Sequence, residues 1–193
     1  LHSGKWIIFH EIIGQNMGAG RFADILKREI HKNGWEKHEF RFIGDPAGNQ
    51  MAQTSEQTPF MILRANGISA YPAPSNDVTI RIESVESVLN RMVDGYPAFC
   101  VSPTCQVLIS GFEGGYEYKR QYHMGNERYE EKPNKNRFSH IHDALQYAFL
   151  GGGEGVKVTH GFGKRSPHTT VNRVGNPFSR MKSRRSRSNF VRL

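Results

Sequence analysis

Two aspartates carry most of the chemical interest of this sequence. Asp45 lies in Gly44-Asp45-Pro46-Ala47-Gly48, directly after the run Glu39 to Ile43, so its carboxylate sits at the carboxyl end of a predicted strand. In open α/β sheets ligands gather beyond such ends. A carboxylate there suits a hard cation such as Mg²⁺ or Mn²⁺, which takes oxygen ligands and leaves several positions to water or phosphate. Two such ions about 3.5–4 Å apart can activate a water and stabilise the leaving oxygen of a phosphodiester. Asp143, in the helix-forming run Ser139 to Leu150, is the second acid for that chemistry. Each also has an ordinary explanation: an Asp before Pro serves the turn, and an Asp early in a helix favours the positive end of its dipole.

Other chemistries find less support. His140 and His142 stand one residue apart on a helix and do not share a face, so they do not read as joint metal ligands. Lys135 and Arg137, just before that helix, are either a phosphate clamp or a solvated loop. There is no G-x-x-x-x-G-K-[ST] loop, Gly161-Phe162-Gly163-Lys164-Arg165 being only an echo of one, and no G-x-S-x-G elbow. Cys100 and Cys105 lack a second pair for zinc and lie in a chain too cysteine-poor for a disulfide scaffold, which makes an intracellular compartment the expectation.

The elements that must position the aspartates follow from pattern and punctuation. Residues 5–13 are β-branched and aromatic and predict a strand. Ala19 to Lys32, with Phe22, Ile25, Leu26 and Ile30 at helical spacing, predicts a helix stopped at Gly34. After the Asp45 turn, Thr58-Pro59 reads as an N-cap and first helical position, and Ile68 to Tyr71 as a short strand. Asn76 or Asp77 caps a helix expected to run through Ile82, Val85, Val88, Leu89 and Met92 to Gly95. Pro97 to Val101 is a strand, Ser102-Pro103 opens a helix, and residues 116–122 and 128–131 form a hairpin across Gly125-Asn126. The final helix has Ile141, Leu145 and Ala148 on its apolar face, with Asp143 on the side of His140 and Tyr147. The βα alternation argues for an α/β domain with a largely parallel sheet.

The chain has 193 residues and a formal net charge of +8, unevenly spread. Residues 1–155 hold sixteen Lys+Arg and eighteen Asp+Glu, whereas residues 156–193 hold ten Lys+Arg and no acid. The expectation is therefore a nearly neutral domain, 1–155, and a flexible basic tail, 156–193. Arg184 and Arg185 stand in Arg180-Met181-Lys182-Ser183-Arg184-Arg185-Ser186-Arg187 and could contact DNA phosphates through counterion release or dock on an acidic partner. No apolar run approaches the roughly 18 residues that span a bilayer, so no membrane association is expected.

Beside this reading stands a resemblance. Gly44-Asp45-Pro46-Ala47-Gly48, Tyr71-Pro72-Ala73-Pro74, Arg81-Ile82-Glu83-Ser84-Val85, Val101-Ser102-Pro103-Thr104-Cys105, Gly114-Gly115-Tyr116 and the run Lys135 to Tyr147 together resemble the C-terminal nuclease domain of a tailed-phage terminase large subunit, from about Lys5 to Glu154. The resemblance implies a ribonuclease H-like mixed sheet flanked by helices and a divalent-metal endonuclease that cuts concatemeric double-stranded DNA during packaging. It implies a two-metal site of three acids, of which Asp45 and Asp143 match two. The first acid would lie on a strand preceding Lys5-Trp6-Ile7-Ile8-Phe9, so the chain is expected to be an N-terminally truncated, weakly active piece of a larger motor. The implied partners are viral DNA, an upstream ATPase domain, the portal and the small terminase subunit, in the cytoplasm of the host cell. Two other readings stay open: a different ribonuclease H-like nuclease of resolvase or transposase type, and a non-catalytic DNA-binding or portal-docking module.

Overall fold

The structure is a computed structural model that describes residues 4–51, 56–123 and 126–155. The tail 156–193, with Arg184 and Arg185, lies outside them. Among the described residues a βα alternation places two parallel strand pairs against five α-helices. Strand β1 (Trp6–Ile8) leads to α1 (Ala19–Lys32), β2 (Phe42–Gly44), a 3-10 turn (Pro46–Asn49), α2 (Pro59–Ala65), β3 (Ala70–Pro72) and α3 (Val78–Leu89). Two very short strands, β4 (Met92–Val93) and β5 (Tyr96–Pro97), precede β6 (Phe99–Val101) and α4 (Gln106–Ser110). A π-helical stretch (Gly111–Gly115), the hairpin β7 (Tyr118–His123) and β8 (Asn126–Pro133), and α5 (Ser139–Gly151) complete it.

The long-range pairings are parallel: Ile7 opposite Cys100 joins β1 to β6, and Ile43 opposite Tyr71 joins β2 to β3. The class is thus mixed α/β, with several small open sheets rather than one continuous one. In each pair the first strand has an outer edge. Trp6 donates to Ala98 and Ile8 accepts from Ser102, so β1 points those groups at β6 and leaves the N–H and C=O of Ile7 facing the other way. Likewise Gly44 accepts from Ala73, which turns the groups of Ile43 away from β3. An apolar cleft of about 670 Å³ adjoins both pairs, walled by Trp6, Ile43, Phe22, Leu26 and Phe60.

Helix α5 ties the two pairs together. Phe149 is fully buried with Val88, Ala98, Leu108 and Leu145, while Tyr147 and Leu150 pack with Ala73, Ile43 and Ile80. Its end must be glycine, because a Cβ on Gly151 would lie 2.6 Å from Ile43 and one on Gly152 2.4 Å from Trp6. Just beyond, the completely buried Glu154 accepts from Trp6 Nε1 and from both terminal nitrogens of Arg91, whose Nη2 also donates to the Gly4 carbonyl. This pins the start of β1 to the end of α5.

Three expectations need correction. The strand at 5–13 stops at Ile8, because its partner β6 turns away after Ser102, whose carbonyl accepts from the Cys105 N–H instead of continuing the ladder. Helix α3 ends at Leu89, where Asn90 caps it, rather than at Gly95. Met92 instead belongs to a tight hairpin whose turn residues, Asp94 and Gly95, have φ of 52° and 77°, as a two-residue primed turn requires. Helix α4 starts at Gln106, because Ser102 and Thr104 bond to each other in a turn while Glu11 caps the helix by accepting from the N–H groups of Val107 and Leu108.

Candidate functional site

Asp45 sits where β2 ends. Its Oδ1 accepts from the Ala47 N–H at 2.8 Å, capping the 3-10 turn that Pro46 opens. Asp143 is held on α5 by burial of that helix's other faces. The two come together: both line one cavity of about 290 Å³, with Asn76, Arg81, Lys132, Lys135 and Tyr147 also in its wall. Arg137 is absent from that wall; its guanidinium lies 4.6 Å over the Phe138 ring. His140, expected on the Asp143 side, is exposed and lines no part of the cavity, while Tyr147 does.

Arg81 organises the site. Its side chain is only 7% exposed, and each nitrogen has a partner. Nε donates to Gln146 Oε1 (2.9 Å), Nη1 to Asn76 Oδ1 (3.1 Å) and Tyr147 Oη (2.6 Å), and Nη2 to Asp143 Oδ1. Lys135 Nζ donates to the other Asp143 oxygen at 2.7 Å, from a side chain that is 73% exposed. A buried cation and an exposed one therefore share one carboxylate. Sequence reasoning assigned no role to Arg81, yet it falls at i, i+4, i+7 with the buried Val85 and Val88. An arginine in an apolar stripe has to find buried acceptors, and that was the available signal.

The tyrosines act as neutral hydrogen-bonding groups. Burial pushes the Tyr147 hydroxyl up to about 12, with Arg81 opposing and Asp45 adding to the rise, and that hydroxyl also meets Asn76 Oδ1 at 2.6 Å. Burial likewise raises Tyr116, whose hydroxyl accepts from Gln146 Nε2 at 2.9 Å and so joins the Arg81 network. Behind Asp143, His142 stacks on Tyr116, ring centroids 4.5 Å apart and 3° from parallel, and meets Phe112 edge-on at 4.7 Å. Burial pushes His142 below its usual range, so it is a neutral packing group.

Chemically, the cavity offers two carboxylates and three cationic side chains. The donor type suits a hard divalent cation, but the described residues contain no group of three or more His, Cys, Asp or Glu side chains that could hold a metal. Glu11 is committed to capping α4, so it supplies no third acid. Comparisons of the chain with protein families, with curated proteins and with solved structures return no match.

Proposed function

We propose that this chain is the ribonuclease H-like endonuclease domain of a viral DNA-packaging terminase, a divalent-metal phosphodiester hydrolase in which Asp45 and Asp143 hold the ions. The observation that carries the reading is that these two acids, matched from motifs far apart in the sequence, line one cavity with Arg81, Lys132 and Lys135. Oxygen ligands for Mg²⁺ or Mn²⁺ and cations for a phosphate are what such a reaction needs in one place. Bound there, the ions would supply Lewis-acid activation of a water for attack on the phosphodiester. Arg81, locked by four neighbours, orients Asp143, and exposed Lys135 can leave Asp143 for an incoming phosphate. Tyr147, neutral at physiological pH, holds a hydrogen bond beside Asp45.

The cleft beside β1 and β2 supports the expectation of a third acid. A strand lying parallel between them would satisfy the outer edges at Ile7 and Ile43, join the pairs into one sheet and bring its carboxyl end beside Asp45. The test is nicking of supercoiled plasmid with Mg²⁺ or Mn²⁺ by this chain, by a protein extended upstream, and by Asp45→Asn and Asp143→Asn variants of each. The extended protein should nick faster, and either substitution should reduce nicking to background. Nicking by Asp45→Asn at the unsubstituted rate would overturn the assignment.

A second reading draws on a specific observation. Both Asp143 oxygens are engaged by cations, which fits a site that binds an anionic backbone without cutting it. DNA binding that survives Asp45→Asn, together with no cleavage by the extended protein, would favour it.

A further inference from the structure

The β7–β8 ribbon presents an aromatic face that the core does not use. Side chains alternate along a strand, so Arg120 and Tyr122 share one face at a spacing of about 6.7 Å, with Tyr118 beyond a shift in the strand register. The register places Tyr129 of β8 opposite Arg120, whose guanidinium lies 5.8 Å over the Tyr129 ring. Tyr122 is 76% exposed, Tyr129 57% and Tyr118 39%. The other face is an ordinary polar one, where Gln121 donates to Glu130 at 3.0 Å and Lys119 lies 4.0 Å from the same carboxylate. Four Lys+Arg stand against three Glu in residues 118–133, too even a balance for phosphate attraction alone to define the surface. The ribbon ends at Lys132 and Pro133, which line the Asp45 and Asp143 cavity.

We propose that this face is a stacking platform for single-stranded nucleic acid, with bases laid on Tyr122 and Tyr129 and the backbone leading toward Lys132. Two exposed rings on one face of the ribbon, one of them already faced by a guanidinium, match unstacked bases, every one of which offers a π-face. A duplex hides those faces and would have to be held by charge instead. The proposal rests on the nuclease reading only for where the strand leads.

The test is fluorescence anisotropy of labelled oligo(dT) and of a matched duplex with the full 193-residue chain, in EDTA and about 0.2 M salt, where phosphate contacts are weakened. Tyr122→Ala and Tyr129→Ala should each lower oligo(dT) affinity roughly 5- to 150-fold, the equivalent of one lost stacking contact. Tyr122→Phe and Tyr129→Phe should keep it, and Lys119→Ala on the opposite face should change it less than about twofold. The platform is overturned if the Ala variants bind oligo(dT) like the unsubstituted chain, if Phe fails as badly as Ala, or if duplex binding falls as much as oligo(dT) binding. Because no metal is present, failure here is distinct from failure of the nuclease reading, which plasmid nicking decides.

Discussion

Replacing Arg81 by Ala tests whether the candidate site is held by one buried cation. The guanidinium is 7% exposed and donates to four side chains, whereas Lys135, on the same carboxylate, is 73% exposed. Removing the partner of a buried charge costs about 3–5 kcal/mol, because the remaining charge and polar groups lose their bonds without regaining water. An exposed pair is worth about 0–1 kcal/mol, since solvent screens it and the long side chain loses freedom in making it. Arg81→Ala should therefore destabilise the domain by roughly 3–5 kcal/mol, a large share of the 5–15 kcal/mol typical of a fold. Lys135→Ala should cost about 1 kcal/mol or less. Urea unfolding followed by the fluorescence of Trp6 and Trp35 reads both, with an unchanged denaturant slope showing that the unfolded state is the same. Asp143 keeps Lys135 in the first variant and Arg81 in the second, so the Coulomb partner count is equal. If the two substitutions cost the same, burial is not what makes the Arg81 network matter and the reasoning fails.

Two other expectations concern the packing behind the site. His142 is held neutral by burial, so its folded pKa lies below the usual 6.5. A depressed histidine stabilises the fold above its unfolded pKa and loses that contribution as pH falls through the folded value. Stability should thus decline below pH 6.5, and a chain with His142→Gln should show a shallower decline in urea midpoints across that range. Gly111→Ala should destabilise by about 1–3 kcal/mol or more, because its Cβ would lie 2.0 Å from His142 Nε2. Gly20→Ala, inside α1 with its nearest neighbour at 3.8 Å, should instead stabilise by about 0.5–1 kcal/mol. Equal thermal shifts for the two would refute the packing argument.

What the sequence made legible is what local chemistry decides. Thr58 accepts from Met61 N and Asp77 from Ile80 N, so the helices they cap begin where the caps predict. Helix α1 keeps its full extent because its stripe and its glycine stop agree. The failures occur where a distant residue decides. Nothing near Gln106 marks it as a helix start, since the cap is Glu11 from the segment after β1, and nothing near Ile8 says that its partner strand turns away after Ser102. Gly95 reads as a helix stop, but a glycine that stops a helix also serves a hairpin turn; Ala98 bonding back to Arg91 selects the hairpin.

The site follows the same division. Asp45 was legible because a strand end, a proline and a glycine-rich turn together fix where its carboxylate sits, and Asp143 because a helix fixes its side. The groups that control Asp143 were not, because Arg81 reads locally as one more charge on a helix and becomes a buried anchor only when α3 packs on α5. That packing also explains why His140 and Tyr147, one turn before and one after Asp143, part company. Tyr147 is drawn under Arg81, its ring 4.6 Å from the guanidinium carbon, whereas His140 is exposed among the described residues. The reach of the cavity along α5 is thus set by α3: it extends from Asp143 toward Tyr147 and Asp45, where Arg81 and Asn76 can close it, and not toward the amino end of the helix.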